Sequence, residues 1–214
     1  MAGACTDKPV AKAPARETAA AAIVIPAPAS PTPRSPDRYR VRFETSQGPF
    51  VLEVTRARAP HGADRLHELV AIGYFSGVRF FRMVPGFVVQ FGIHGDPAVN
   101  AVWDTATIPD DPARTGNVRG TVAFAASGAD SRATQLFVST GDNVSKLDRQ
   151  RLFTPLGRVV EGMDVVDKLN SEYGEEPNPS RAVRQGNAYF SRWFPALDSI
   201  VRATIVSDSS RARS

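Results

Sequence analysis

Between residues 39 and 54 the side chains follow a period of two. Tyr39, Val41 and Phe43 alternate with Arg40, Arg42 and Glu44, and after the turn residues Ser46-Gln47-Gly48-Pro49 comes a second β-rich run, Phe50-Val51-Leu52-Glu53-Val54. A strand places every second side chain on the same face, so this pattern specifies a half-buried β-hairpin; on a helix the same residues would scatter around the axis. Comparable runs recur down the chain. Two more strands are predicted across residues 78–91, with Pro85-Gly86 as the bend between them, and further strands at 120–125, 135–139, 158–160 and about 200–206. Pro60 can open a helix that carries Leu66, Leu69 and Val70 at helical spacing and that Gly73 closes, and a second helix is predicted over 162–171 with Met163, Val166 and Leu169 on one side. Many short strands with few helices and long loops point to a closed or nearly closed antiparallel barrel capped by helices. There is no internal repeat.

At 214 residues and 42% apolar composition the chain can bury one sizeable core, and a second full domain is not required. The net charge is +4, but the basic residues stand singly among carboxylates (Arg56, Arg58, Arg79, Arg119, Arg132) with no run of five like charges, so no nucleic-acid partner is expected. The apolar run Ala19 to Ile25 stops at Pro26, well short of the roughly 18 residues a membrane-spanning helix needs. A single cysteine excludes an intramolecular disulfide and a cysteine-based metal site. His61 and His67 lie six apart, off a common helix face, and His94 sits in a loop, so no metal is expected either. No glycine-rich phosphate loop is present.

Residues 6–37 are rich in Pro and Ala without an apolar period and read as an extended, semi-rigid spacer. The organisation predicted is a disordered tail or tether over 1–37, a folded domain over 38–207 and a polar tail over 208–214. Cys5, behind the small residues Ala2-Gly3-Ala4, is similar to the cysteine of a bacterial lipoprotein processing site, yet the hydrophobic stretch such a signal needs is missing upstream. Two readings stand. Either translation starts further upstream and a lipid on Cys5 anchors the domain at the bacterial envelope or periplasm, which is the only membrane attachment the sequence suggests, or the match is chance and the protein is cytoplasmic.

The stretch FFRMVPGFVVQFG, residues 80–92, reads as core except for Arg82 and Gln90. Its run Phe81-Arg82-Met83-Val84-Pro85-Gly86-Phe87-Val88-Val89-Gln90 resembles the signature of the cyclophilin-type peptidyl-prolyl cis-trans isomerases. Gly120 to Ala125, Thr134 to Val138, and Phe153 to Val159 followed by Gly162 to Val166 resemble that family's later blocks in their usual order, so the likeness extends over about 39–206. The resemblance implies a mainly β fold, a closed eight-stranded antiparallel barrel capped by two main helices, with a substrate groove on its outer surface. It also implies that Arg82 and Gln90 point out of the barrel into that groove, as the catalytic pair, while their apolar neighbours face the core.

The reaction implied is rotation about X–Pro bonds, opposed by amide resonance with a barrier of roughly 18–20 kcal/mol. No bond is made or broken, so neither nucleophile, metal nor cofactor is needed. In the twisted transition state the proline nitrogen becomes pyramidal and gains a lone pair, to which a permanently charged guanidinium can donate; Arg82 would stabilise that state and hardly the planar one. By position, Phe87, Phe124, Phe137 and Phe153 would form walls and floor of a proline pocket together with Leu147. Gln90 would hold Arg82 and bond the substrate backbone, Gln135 would line the groove, and Ala125 and Ala126 would offer backbone groups to an extended peptide. Lys146 stands where some cyclophilins carry a tryptophan that contacts cyclosporin, which puts sensitivity to that drug in doubt. The partners implied are proline-containing peptides and unfolded or folding proteins, met by a monomer. Aromatics at Tyr189, Phe190, Trp193 and Phe194 are predicted to pack a late extension, 184–198, onto the barrel, with a partner-docking helix as the alternative. A module that holds proline segments as a chaperone or scaffold remains the alternative to catalysis; such a module could lose Arg82 without penalty, and Arg82 is present.

Overall fold

The computed structural model describes residues 24–206; Cys5 and the polar C-terminal tail lie outside them. Eight strands, β1 (Arg38–Thr45), β2 (Gly48–Thr55), β3 (Arg82–Val84), β4 (Val88–Phe91), β5 (Thr121–Phe124), β6 (Leu136–Ser139), β7 (Gly157–Glu161) and β8 (Ile200–Val206), form one sheet in the order β3-β4-β6-β5-β7-β2-β1-β8. Every pairing between these strands is antiparallel. The alternation read from the sequence is realised in β1, where Tyr39, Val41 and Phe43 are buried and Arg40, Arg42 and Glu44 are partly exposed. Phe43 stacks on Phe50 across the hairpin, 4.9 Å between ring centroids, and meets Phe75 and Phe91 edge-on, so one aromatic cluster fills the concave side of the sheet.

The sheet is an open half-barrel, which corrects the expectation of a closed one. Its end strands, β3 and β8, are not paired with each other. Only the segment before β3 reaches the start of β8, through an isolated bridge between Arg79 and Ser199 and hydrogen bonds from Phe80 N to Asp198 O (3.0 Å) and from Ile200 N to Val78 O (2.8 Å). β3 begins beyond that contact and β8 runs away from it, so the two edges overlap too little to zip. The edge of β3 is covered instead by a loop: Met83 N donates to Gly174 O at 3.1 Å, which shields a strand edge that would otherwise be open to pairing.

The helices also differ from expectation. Helix α1 (Pro60–Ala71) is the one long helix among the described residues, with Pro60 in its first turn and Leu66, Leu69 and Val70 buried against the sheet. The second helix expected over 162–171 is reduced to α4 (Met163–Asp167). Short helices α2 (Pro97–Trp103), α3 (Val144–Leu147), α5 (Pro179–Gln185) and α6 (Asn187–Trp193) lie in stretches whose apolar periodicity is too short to announce them. The expected packing of the late extension is met in part: Tyr189 and Phe190 of α6 are buried with Phe81, Ile93, Ala182 of α5 and Leu197 in a second cluster, and Phe194 packs against it partly buried. Trp193, expected to pack as well, is 53% exposed because it lies on the outer side of α6.

Residues 24–37 form neither helix nor strand, yet they are fixed to α1 and to the end of α2. Ile25 packs on the main core, Pro26 O accepts from Trp103 Nε1 (3.0 Å), Ala29 N donates to Glu68 Oε1 (2.7 Å), and Ser35 donates from both N and Oγ to Asp64 Oδ1 (2.8 Å each). The packed unit therefore begins before the boundary predicted at residue 38, because an extended segment can be held by single polar anchors that leave no periodic trace in its sequence.

Candidate active site

β3 and β4 form a short hairpin through Pro85-Gly86 in which Arg82 is paired directly with Gln90, and Gln90 in turn with Phe137 on β6. Alternation then sets which side chains look outward. Along β4, Val89 and Phe91 belong to the core while Val88 and Gln90 face the other way; along β6, Leu136 and Val138 point in and Phe137 out; along β5, Val122 and Phe124 point in and Ala123 out. The convex face thus gathers its own apolar cluster, Val88, Ala123, Phe137 and Leu147, with Phe87, Ala125 and Phe153 packed against it, separate from the main core. Phe153 meets Phe137 edge-on at 5.7 Å.

Arg82, 28% exposed in its side chain, lies beside that cluster. Its guanidinium carbon sits 5.4 Å from the Phe87 ring centroid, and Nη1 donates to Gln90 Oε1 at 3.4 Å. Gln90 Nε2 donates to Gln135 Oε1 at 3.0 Å, so a relay of amides ties the arginine to the next strand. Arg82 also donates from Nε (2.8 Å) and from Nη2 to Glu175 Oε1. Beyond Gln135 the surface sinks into a cavity of about 380 Å³ whose wall includes Gln90, Ala125, Ala126 and Gln135. Ala125 N donates to Gln135 O (2.9 Å), so Ala125 can offer a peptide only its carbonyl.

The residues expected at the site are brought together with one exception. Arg82, Phe87, Gln90, Ala125, Ala126, Gln135, Phe137, Leu147 and Phe153 share the convex face. Phe124 does not: it is 1% exposed and points into the half-barrel against Gly62, because it is one residue out of phase with Ala123. Val88 and Ala123 also belong to the face: Val88 was legible, since it shares strand parity with Gln90, whereas Ala123 is set there by its register opposite Phe137 on the neighbouring strand. Lys146 is exposed, with Nζ 5.0 Å from the Phe87 ring centroid.

The loop that supplies Leu147 and Phe153 is held by buried polar residues that carry no sequence signal. Asn143 Nδ2 donates to Phe87 O (2.7 Å), and Asn117 Nδ2 donates to both Asp148 Oδ1 (2.6 Å) and Phe153 O (2.8 Å). Asp148 also accepts from Gly116 N at 2.8 Å. Gly141 packs so closely on the hairpin bend that a Cβ there would lie 2.2 Å from Gly86 O. The histidines stay apart from this face: His67 lies edge-on to Tyr39, and His94 Nδ1 accepts from Asp96 N. Among the described residues no group of three His, Cys, Asp or Glu is placed to hold a metal ion.

The described residues thus form an open antiparallel half-barrel that carries an outward arginine–glutamine pair beside an apolar shelf on its convex face. Residues 40–186 match the family model described as cyclophilin type peptidyl-prolyl cis-trans isomerase/CLD. A probable peptidyl-prolyl cis-trans isomerase of Brucella abortus (strain 2308) is 32% identical over 158 residues, covering 67% of this chain and 80% of that protein. Among solved structures, a Hirschia baltica cyclophilin superposes with a TM-score of 0.59 at 19% identity, covering 82% of this chain and 77% of that one. A Cryptosporidium parvum cyclophilin type isomerase, solved in the presence of the dipeptide Ala-Pro, superposes with a TM-score of 0.58 at 17% identity, covering 79% and 99%. The two structural likenesses speak for the fold; the family match and the relative speak for descent. The chain belongs to the cyclophilin-type peptidyl-prolyl cis-trans isomerases.

Proposed function

We propose that this isomerase turns X–Pro bonds on the convex face of β3, β4, β5 and β6, with Arg82 as the catalytic guanidinium and the cluster around Phe137 as the seat of the proline ring. The observation that carries the proposal is the position of Arg82. It stands at the lip of an apolar cluster that the main core does not use, in contact with Gln90 and with its side chain 28% exposed.

The proline ring rests against Phe87, Phe137, Leu147 and Phe153, and the peptide extends across Ala125, Ala126 and Gln135. The apolar shelf holds the ring still while the preceding carbonyl swings. As resonance is lost, the proline nitrogen gains basicity, and an Arg82 N–H placed above it stabilises the twisted state more than the planar one. Lining Arg82 with an aromatic face and an amide lowers the local dielectric, which makes that contact worth more than it would be in water. The substrates proposed are proline-containing segments of peptides and of unfolded or folding proteins; the Ala-Pro dipeptide of the Cryptosporidium parvum structure is of that chemistry. The chain is proposed to act as a monomer, since the face requires no residue from a second copy.

Cis/trans exchange of an X–Pro peptide, followed by NMR with wild type beside Arg82→Ala, tests this. The expected result is acceleration by wild type and a loss of about 10²–10³ in the variant, the scale found for removal of one transition-state donor, with the fold unchanged. A wild type that binds the peptide and leaves its exchange rate alone would make the face a holding site only.

A further inference from the structure

The guanidinium of Arg82 has a second holder that lies far away in the chain. Gln90 supplies one contact, long at 3.4 Å, whereas one carboxylate oxygen of Glu175 accepts from both Nε and Nη2, and the two residues are 93 positions apart. Of the five N–H groups an arginine carries, three are then engaged, and two remain for a substrate.

The loop that brings Glu175 is itself built to stay in place. Asn170 N donates to Asp198 Oδ2 (2.7 Å) and Asn170 Nδ2 to Ala196 O (2.9 Å). Two consecutive turns follow, Gly174 N to Ser171 O (3.1 Å) and Glu176 N to Tyr173 O (2.9 Å). The Tyr173 ring between them lies edge-on to Phe194, 5.2 Å centroid to centroid. Gly174, at φ 49°, then lends its carbonyl to Met83 N on the edge of β3, which sets the next residue, Glu175, alongside Arg82. The loop in front of α5, braced by Phe194, Ala196 and Asp198, thus covers an edge of the sheet and places a carboxylate there.

We propose that Glu175 is a positioning residue for Arg82: it fixes the plane of the guanidinium so that the two remaining N–H groups face the proline, and it does so through Arg82 alone. The inference rests on the reading of Arg82 as the catalytic group. A long, partly exposed arginine left with one weak amide contact and the face of Phe87 would spread over several rotamers, and small misplacements of a catalytic group are costly to rate. An exposed ion pair of this kind adds little to stability, since Glu175 is 61% exposed in its side chain. Its effect should therefore appear in turnover and hardly in folding.

The test is catalysed exchange of an Ala-Pro-containing peptide, with peptide affinity measured by NMR titration, for wild type, Glu175→Ala, Glu175→Gln, Arg82→Ala and the double variant Arg82→Ala/Glu175→Ala. The expected result is a loss of about fivefold in turnover for Glu175→Ala with peptide affinity and melting temperature unchanged. Glu175→Gln, which keeps an acceptor oxygen at the same place, returns to within about twofold of wild type, and the double variant is no slower than Arg82→Ala. Wild-type activity in Glu175→Ala, faster exchange in it, or the same fractional loss on the Arg82→Ala background would each overturn the proposal while leaving the catalytic reading intact. If Arg82→Ala itself keeps full activity, both fall together.

Discussion

Replacing Asp111 by alanine should be among the most damaging single changes available in this protein. Asp111 sits in the loop before β5 with its side chain fully buried, and its carboxylate serves two elements at once. It accepts from His61 N (2.8 Å) and Gly62 N (3.0 Å), donors in the first turn of α1, and from Arg132 Nη1 (2.7 Å). Ala59 at the start of α1 has no polar side chain, so the cap that most helices take from their own N-cap residue is delivered here from 50 residues away. Arg132 is 2% exposed in its side chain, and without Asp111 it would keep a buried charge with only the Pro109 carbonyl and a longer contact to Asp110 at 3.4 Å.

Breaking a buried pair by removing one partner costs about 3–5 kcal/mol, against a total stability of roughly 5–15 kcal/mol for a domain. Asp110 is the internal control. It touches the same arginine, but its side chain is 32% exposed, and Asp110→Ala should cost about 1 kcal/mol or less. Asp111→Asn, which keeps one acceptor oxygen and loses the charge, should fall between them. Urea unfolding with linear extrapolation gives the three differences, and the melting point of Asp111→Ala should drop by about 6–20 °C at this chain length. A cost for Asp111→Ala no greater than that of Asp110→Ala would refute the argument that burial, and not proximity, decides the value of a carboxylate beside Arg132.

Two further outcomes are expected. Phe137→Ala should weaken binding of a proline peptide about tenfold or more, since it removes the ring at the centre of the convex cluster, whereas Phe124→Ala should cost about 3–5 kcal/mol of stability and leave the affinity of the folded fraction unchanged; titration and urea unfolding of both variants decide it. Burial works to raise the Asp64 carboxyl, but bonds from Arg56 and Ser35 outweigh it and hold the group below its ordinary range. A group lowered in the folded state stabilises fully above its unfolded value, about pH 4, and that contribution is lost as pH falls through the lowered folded value. Hydrogen exchange at the Ser35 amide should therefore quicken in that acid window, and Asp64→Asn should remove the dependence.

The sequence by itself determined the strands and the side each residue takes. A period of two is fixed by the covalent geometry of an extended chain, so Tyr39, Val41 and Phe43 had to face one way, and Arg82 and Gln90 had to share a side once Pro85-Gly86 made the bend between them. The same rule would have placed Phe124 inside, had its parity with Ala123 been followed in place of the family likeness. Only the tertiary structure decided the rest: that the sheet stays open between β3 and β8, that residues 25–35 are fastened to α1 through Ser35 and Ala29 and to α2 through Pro26, that Asn117 and Asn143 hold the Leu147 loop, and that Glu175 reaches Arg82. Those features rest on single polar contacts between residues dozens of positions apart. A hydrogen bond needs one donor and one acceptor at the right distance and has no period, so nothing along the chain marks the pair until folding has brought both ends together.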